Sequence, residues 1–187
     1  MNTSFHDLVH NRSSVRAYAD RKVDREVIIR IIEAARLAPS ACNRQPWRFV
    51  VADDPELVSR ICTRGMHGPV PNVWAREAPV IIVIGLAPSP MVNTAGKVLK
   101  GIDYSMISAG IAGEHICLAA QDEGLGTCWI GWFRSRAVKK LCGIPSRIKL
   151  AALITLGYPR DTGSVPEKER MKRDEICFFN RYGESGT

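Results

Sequence analysis

Hydrophobic positions fall into helix-period and strand-like blocks that alternate along the chain. Val27, Ile28, Ile31, Ile32, Ala35 and Leu37 recur at helical spacing behind Asp24, a suitable N-cap, and Pro39 stands just past the end. Residues 47–51 read as a short strand rich in aromatic and β-branched side chains. Asp54-Pro55 sets an N-cap before a proline at the first helical position and opens a short helix through Ile61. Residues 80–86 are a continuous, largely β-branched run between Pro79 and Pro88, which predicts a central strand buried on both faces. The longest helical stretch is 101–123, closed by Gly124. Its Ser, Ala and Gly content lets other backbones approach closely, so it belongs deep in a core or at a subunit interface. Residues 127–130 and 148–157 read as further strands with a short helix around 136–142 between them. Residues 65–72 and 88–100 are expected to be loops, and the charged tail from Tyr158 has no strong period. Interleaved helices and strands predict a helix-covered sheet in a single domain.

Composition narrows the class. With 45% hydrophobic and 24% charged residues over 187, the chain fits a globular domain and excludes disorder and collagen-like repeats. Lys and Arg number 26 against 19 Asp and Glu, a formal +7 that suits anionic partners. The basic residues are scattered rather than striped among aromatics, which argues against nucleic-acid binding. The longest strongly apolar run, 80–87, is far below the ~20 residues of a membrane span, and the first eleven residues hold no apolar signal core. Six cysteines occur without a CxxC pair. Reduced, mostly buried thiols and a cytoplasmic location are expected.

Several chemical motifs fail. Gly124-Leu125-Gly126 begins a dinucleotide fingerprint, but the third glycine position is Trp129 and a strand follows where a helix is needed. No phosphate-binding GxxxxGK[ST] loop occurs. His6 and His10 have metal-pair spacing, but His6-Asp7-Leu8-Val9-His10 lacks the zincin glutamate, so a surface helix end is the plainer reading and no metal is expected. Cys42 has no histidine near it in sequence and reads as a passive turn residue.

Three stretches could form an anion-and-ring site. In Asn11-Arg12-Ser13-Ser14-Val15-Arg16, two guanidiniums flank two hydroxyls, which suits a phosphate monoester; the alternative is a solvated turn. In Ala38-Pro39-Ser40-Ala41-Cys42-Asn43-Arg44-Gln45-Pro46-Trp47, donors and acceptors that could meet a heterocycle edge follow a helix end; the alternative is a plain helix–strand connection. In Gly124-Leu125-Gly126-Thr127-Cys128-Trp129-Ile130-Gly131-Trp132, Gly131 leaves backbone open to a flat ring; the alternative is a strand with a bulge glycine.

Taken in order, these stretches, the apolar strand after Ala-Pro and the Leu-Gly-Tyr-Pro strand end resemble the FMN-dependent nitroreductase family along almost the whole chain. The resemblance implies an α+β fold, a three-layer α/β/α sandwich about a mostly antiparallel sheet, in an intertwined homodimer with FMN at its interface. It implies that Arg12 and Ser14 hold the FMN phosphate with Lys168 and Arg170, that Ser13 also belongs to the cofactor site, and that Arg16 sits near the pyrimidine edge of the ring. Pro39, Ser40, Ala41, Asn43 and Gln45 would come from the other subunit. Cys128, Trp129, Ile130 and Gly131 would line one ring face. The tail departs from the usual pattern, leaving Lys172 as a competitor of Lys168 and Arg170, and Ile130 stands where longer members carry glutamate. The implied activity is ping-pong hydride transfer from NAD(P)H to nitroaromatics or quinones, with no separate catalytic side chain and Arg16 tuning the flavin. A specialised relative (dehalogenase, enone reductase or flavin-cleaving enzyme) and a flavin carrier or sensor are the alternatives. Trp74, His67 and Trp132 are possible acceptor-pocket walls.

Overall fold

The computed structural model describes residues 4–66, 72–88, 101–161, 163 and 167–184. The expected loops are therefore only partly covered: 67–71, with His67, and 89–100 lie outside the described residues.

The chain begins with a short helix, α1 (Phe5–Asn11), capped by Ser4, whose hydroxyl accepts from the Asp7 amide. Helix α2 (Arg25–Arg36) follows with Asp24 at the N-cap position, but the Asp24 side chain makes no capping bond. A 3-10 turn (Ala41–Asn43) leads into strand β1 (Trp47–Ala52), and α3 (Pro55–Arg60) begins at Asp54 as expected, its carboxylate accepting from Leu57 N–H at 2.7 Å. The predicted end at Ile61 is a continuation instead, a π-turn over Ile61–Gly65. A second 3-10 turn (Val73–Glu77), unmarked by any periodicity, precedes β2 (Val80–Leu86). Then come α4 (Tyr104–Asp122), β3 (Gly126–Ile130), α5 (Ser135–Leu141) and β4 (Lys149–Gly157). The tail, aperiodic in sequence, carries one short helix, α6 (Arg173–Ile176), begun at Lys172.

The sheet runs β1-β2-β4-β3, and every adjacent pair is antiparallel. Every residue of β2 is buried, as a central strand with helices on both faces requires. Strand alternation sends Ile82, Ile84 and Ile154 to one side, against Ile28 and Ile31 of α2 and Ala109, Ile116 and Ala120 of α4. Ile81, Val83 and Leu153 face the other side, where Val58, Ile61 and Val138 from α3, the π-turn and α5 cover them. This is the expected α/β/α sandwich. Helix α4 buries one side and exposes Met106 and Ile107 on the other.

Candidate functional site

The segment after α1 does not wander as a turn; it lies along the free edge of β3. Ser14 pairs in parallel with Thr127, and Val15 N–H donates to the Thr127 carbonyl at 2.9 Å. Close approach is possible because position 126 is glycine: a Cβ there would stand 2.5 Å from Val15 Cγ2 and 2.7 Å from Val15 Cβ. Tyr18 anchors the far end. Its phenol is buried, donates to the Val15 carbonyl at 2.8 Å and meets Thr155 Oγ1 at 2.7 Å, while Thr155 also reaches the Cys128 carbonyl at 3.3 Å. Burial drives the phenol above its ordinary range, so the hydroxyl keeps its proton. Tyr18→Phe is expected to cost about 1–3 kcal/mol by leaving the Val15 carbonyl and Thr155 hydroxyl short of a partner. Denaturant unfolding reads this, and an unchanged midpoint contradicts the anchoring role.

This pairing sets the Arg12–Arg16 stretch beside Cys128–Gly131. Burial raises the Cys128 thiol, against the pull of the Arg16 charge and of contacts from Ser14 and Arg16. The Arg16 guanidinium stands 5.9 Å above the Trp74 ring, the usual reach of a cation–π contact. Trp129 points to the opposite face, over α4, where Gly113 makes room for its indole; a Cβ at Gly113 would lie 2.2 Å from the ring. Around Gly131 a Cβ would meet nothing within 4 Å, so the backbone at the end of β3 borders open space. Trp132 is exposed.

A cleft of about 1000 Å³ opens between α1, α4 and the tail, lined by Arg12, Lys168 and Arg170 together with Glu114, Glu167 and residues of α1. Lys168 ties the tail to α1 by donating through Nζ to the Val9 carbonyl at 2.9 Å and to the His10 carbonyl. Partial burial and the charges of Arg12 and Arg170 pull its ammonium below the ordinary lysine range. Three cations held together in this way fit a multivalent anion such as a phosphate. Lys172, the competing tail cation, does not line the cleft and starts α6 instead. Glu114, which sequence reasoning missed, faces Arg12 with Oε1 3.7 Å from Nε.

The Ser40–Gln45 loop is elsewhere. It leads into β1, the sheet edge opposite β3, and packs beside the Ala38, Trp47 and Ala112 cluster. At ordinary strand spacing the two edges are ~14 Å apart. The loop holds three non-glycine residues in the left-handed region, Cys42 (φ 52°), Asn43 (φ 51°) and Gln45 (φ 47°). Each costs roughly 1 kcal/mol or more, a strain typical of functional loops. Ser40 pins the loop: its Oγ accepts from Gln45 N–H at 2.9 Å and its carbonyl from Asn43 N–H at 2.9 Å. Gln45 Nε2 donates to Asn43 Oδ1 at 3.0 Å. Pro39 and Ala41 flank this cluster, and Cys42 is exposed.

Comparison with known proteins gives a consistent picture. A family model described as the nitroreductase family matches residues 9–64 and 65–158. A provisionally named NADH dehydrogenase/NAD(P)H nitroreductase of Archaeoglobus fulgidus is 34% identical over 177 residues, covering 90% of this chain and 94% of its own. Human iodotyrosine deiodinase 1 is 30% identical over 195 residues, covering 92% of this chain and 67% of its own. Among solved structures, a nitroreductase family protein of Clostridium novyi superposes with a TM-score of 0.77 at 29% identity, covering 98% and 97% of the two chains. An FMN-dependent nitroreductase of Clostridium difficile gives 0.74 at 26% identity, over 94% and 98%.

Proposed function

The chain belongs to the nitroreductase family, and on that premise we propose that it is an FMN-dependent oxidoreductase passing hydride from NAD(P)H to an electron-poor small molecule in a ping-pong cycle. The observation that carries this reading is the convergence of Arg12, Lys168 and Arg170 on one cleft, next to a β3 edge that ends in open backbone at Gly131.

The residues present fit FMN. Arg12, Lys168 and Arg170, with the Ser13 and Ser14 hydroxyls, are the donors a phosphate monoester needs. Bound FMN supplies the hydride-accepting ring; the rest of the work is the chain's own. The Cys128–Gly131 strand would offer a backbone edge to a flat ring, and Arg16, which stands over Trp74, would bring a positive charge to its pyrimidine side. That charge favours negative charge on the ring system. Arg16→Ala is therefore expected to retain FMN but lower its midpoint potential by roughly 30 mV or more. An unchanged potential contradicts this role.

The remaining contacts come from a second copy. Pro39, Ser40, Ala41, Asn43 and Gln45 sit at the sheet edge opposite Arg12–Arg16, so a homodimer is the simple way to bring both sets to one ring. Exposed Ile102, Met106 and Ile107 around the start of α4, with exposed Leu37, give such a dimer apolar surface to bury. No helix among the described residues is long and apolar enough to cross a membrane, and we read the enzyme as cytoplasmic, where NAD(P)H is supplied.

Two acceptor classes are in contention. Nitroaromatics and quinones suit the family at large. The similarity to iodotyrosine deiodinases, at 30% identity to the human protein and 28% to one from Thermotoga neapolitana, favours reductive dehalogenation of a halogenated phenol as the second reading. Steady-state NAD(P)H oxidation with a nitroaromatic, a quinone and iodotyrosine separates them. Turnover with the first two supports the general reductase, and iodide release alone supports the specialised one. No turnover with any of the three contradicts both.

A further inference from the structure

Helix α4 is built mostly of small and apolar residues, yet it sends one carboxylate, Glu114, into the cationic cleft. The side chain is about half exposed (49%), and its Oε1 stands 3.7 Å from Arg12 Nε, an ion-pair distance beyond hydrogen-bond reach. Glu114 therefore offsets the charge of Arg12 without occupying its N–H groups, which stay available to an incoming anion. Building on the reading of this cleft as the FMN phosphate site, we propose that Glu114 couples phosphate binding to proton uptake: the carboxylate balances the cations while the cleft is empty and takes a proton from solvent when a phosphate dianion arrives.

The surroundings give the sign. Burial already lifts Glu114 above the usual carboxylate range, opposed by the charges of Arg12, His115 and Lys168. A dianion on Arg12 and Lys168 would neutralise the two cations that hold it down and add like charge beside it, and both effects favour the protonated form. The other titratable groups facing the cleft are His6, Asp7 and His10 on α1 and Glu167 and Arg170 in the tail. Asp7 is engaged locally, accepting from Ser4 Oγ at 2.6 Å. These groups are the same in a Glu114 variant, as is the titration of the FMN phosphate itself. The ratio of wild type to variant isolates Glu114.

The test compares FMN dissociation constants of the wild type and Glu114→Gln between about pH 5 and pH 8.5, with riboflavin as the phosphate-free probe. The two proteins should bind FMN about equally at the acid end. At the alkaline end the variant should bind roughly tenfold tighter, as expected for one like charge close by. Riboflavin binding should not distinguish them. Glu114→Asp should keep the pH dependence, and calorimetry in two buffers should show more proton uptake on FMN binding for wild type than for Glu114→Gln. A ratio that is flat with pH, or weaker FMN binding by Glu114→Gln, overturns the coupling alone. Failure of the wild type to bind FMN overturns the cofactor reading itself.

Discussion

Replacing Arg12 with alanine is expected to weaken FMN binding roughly 100-fold and leave the fold intact. A guanidinium donating charge-assisted bonds to a phosphate contributes about 1.5–3 kcal/mol, or about 10- to 150-fold, and a two-pronged fork belongs in the upper part of that range. Among the described residues the Arg12 side chain makes a loose, partly exposed ion pair with Glu114 at 3.7 Å, of a kind that contributes little to stability. Its backbone N–H, which bonds the Leu8 carbonyl at 2.8 Å, survives the substitution. The readouts should therefore separate: FMN lost on desalting, the unfolding free energy within about 0.5 kcal/mol of wild type, and riboflavin affinity unchanged. Equal loss of riboflavin and FMN would show that Arg12 acts on the ring or the fold rather than on the phosphate.

The second large effect is steric. Gly126→Ala would set a Cβ 2.5 Å from Val15 Cγ2 and 2.7 Å from Val15 Cβ, and a Cβ cannot rotate away from its own backbone. The segment carrying Arg12, Ser14 and Arg16 must then move off β3, stretching the Val15–Thr127 bond and the tether made by Tyr18. Overpacking of this kind costs about 1–3 kcal/mol. Here it should also lower FMN affinity, although position 126 touches no ligand in this reading. Val15→Gly in the Gly126→Ala background removes all the close atoms and should restore part of the FMN affinity. Wild-type stability and affinity in the single variant would contradict the strand-edge placement of the anion-binding segment.

The elements most legible in the sequence were those whose burial is uniform. Residues 80–86 announce a central strand because both faces are covered and every position is apolar, and that strand is β2 at the same bounds. Helix α4 was visible for its length and for the glycine after it, with ends a few residues inside the expected 101–123. Features set by contacts distant in sequence were not legible. Lys168 meets Val9 and His10 only after the whole sandwich has formed, and the π-turn after Arg60 leaves no mark in the apolar pattern. Glu114 belongs to no motif in the sequence; that it faces Arg12 depends on how α1 and the tail pack against α4. The Ser40–Gln45 motif pointed to chemistry, but its strain did not show, because cysteine and glutamine are not residues that signal positive φ. Asp24 shows the converse: the residue type and the place were right for a cap, and the side-chain bond is absent.

The proposed activity requires that this chain hold FMN and reduce it with a nicotinamide donor. Its most direct test is the visible spectrum of the purified, desalted protein, recorded before and after anaerobic addition of NADH and then NADPH. Flavin bands that bleach with at least one nucleotide, and a released flavin that is FMN, are the predicted result. A colourless protein that takes up no added FMN, or bound flavin that neither nucleotide reduces, would contradict it.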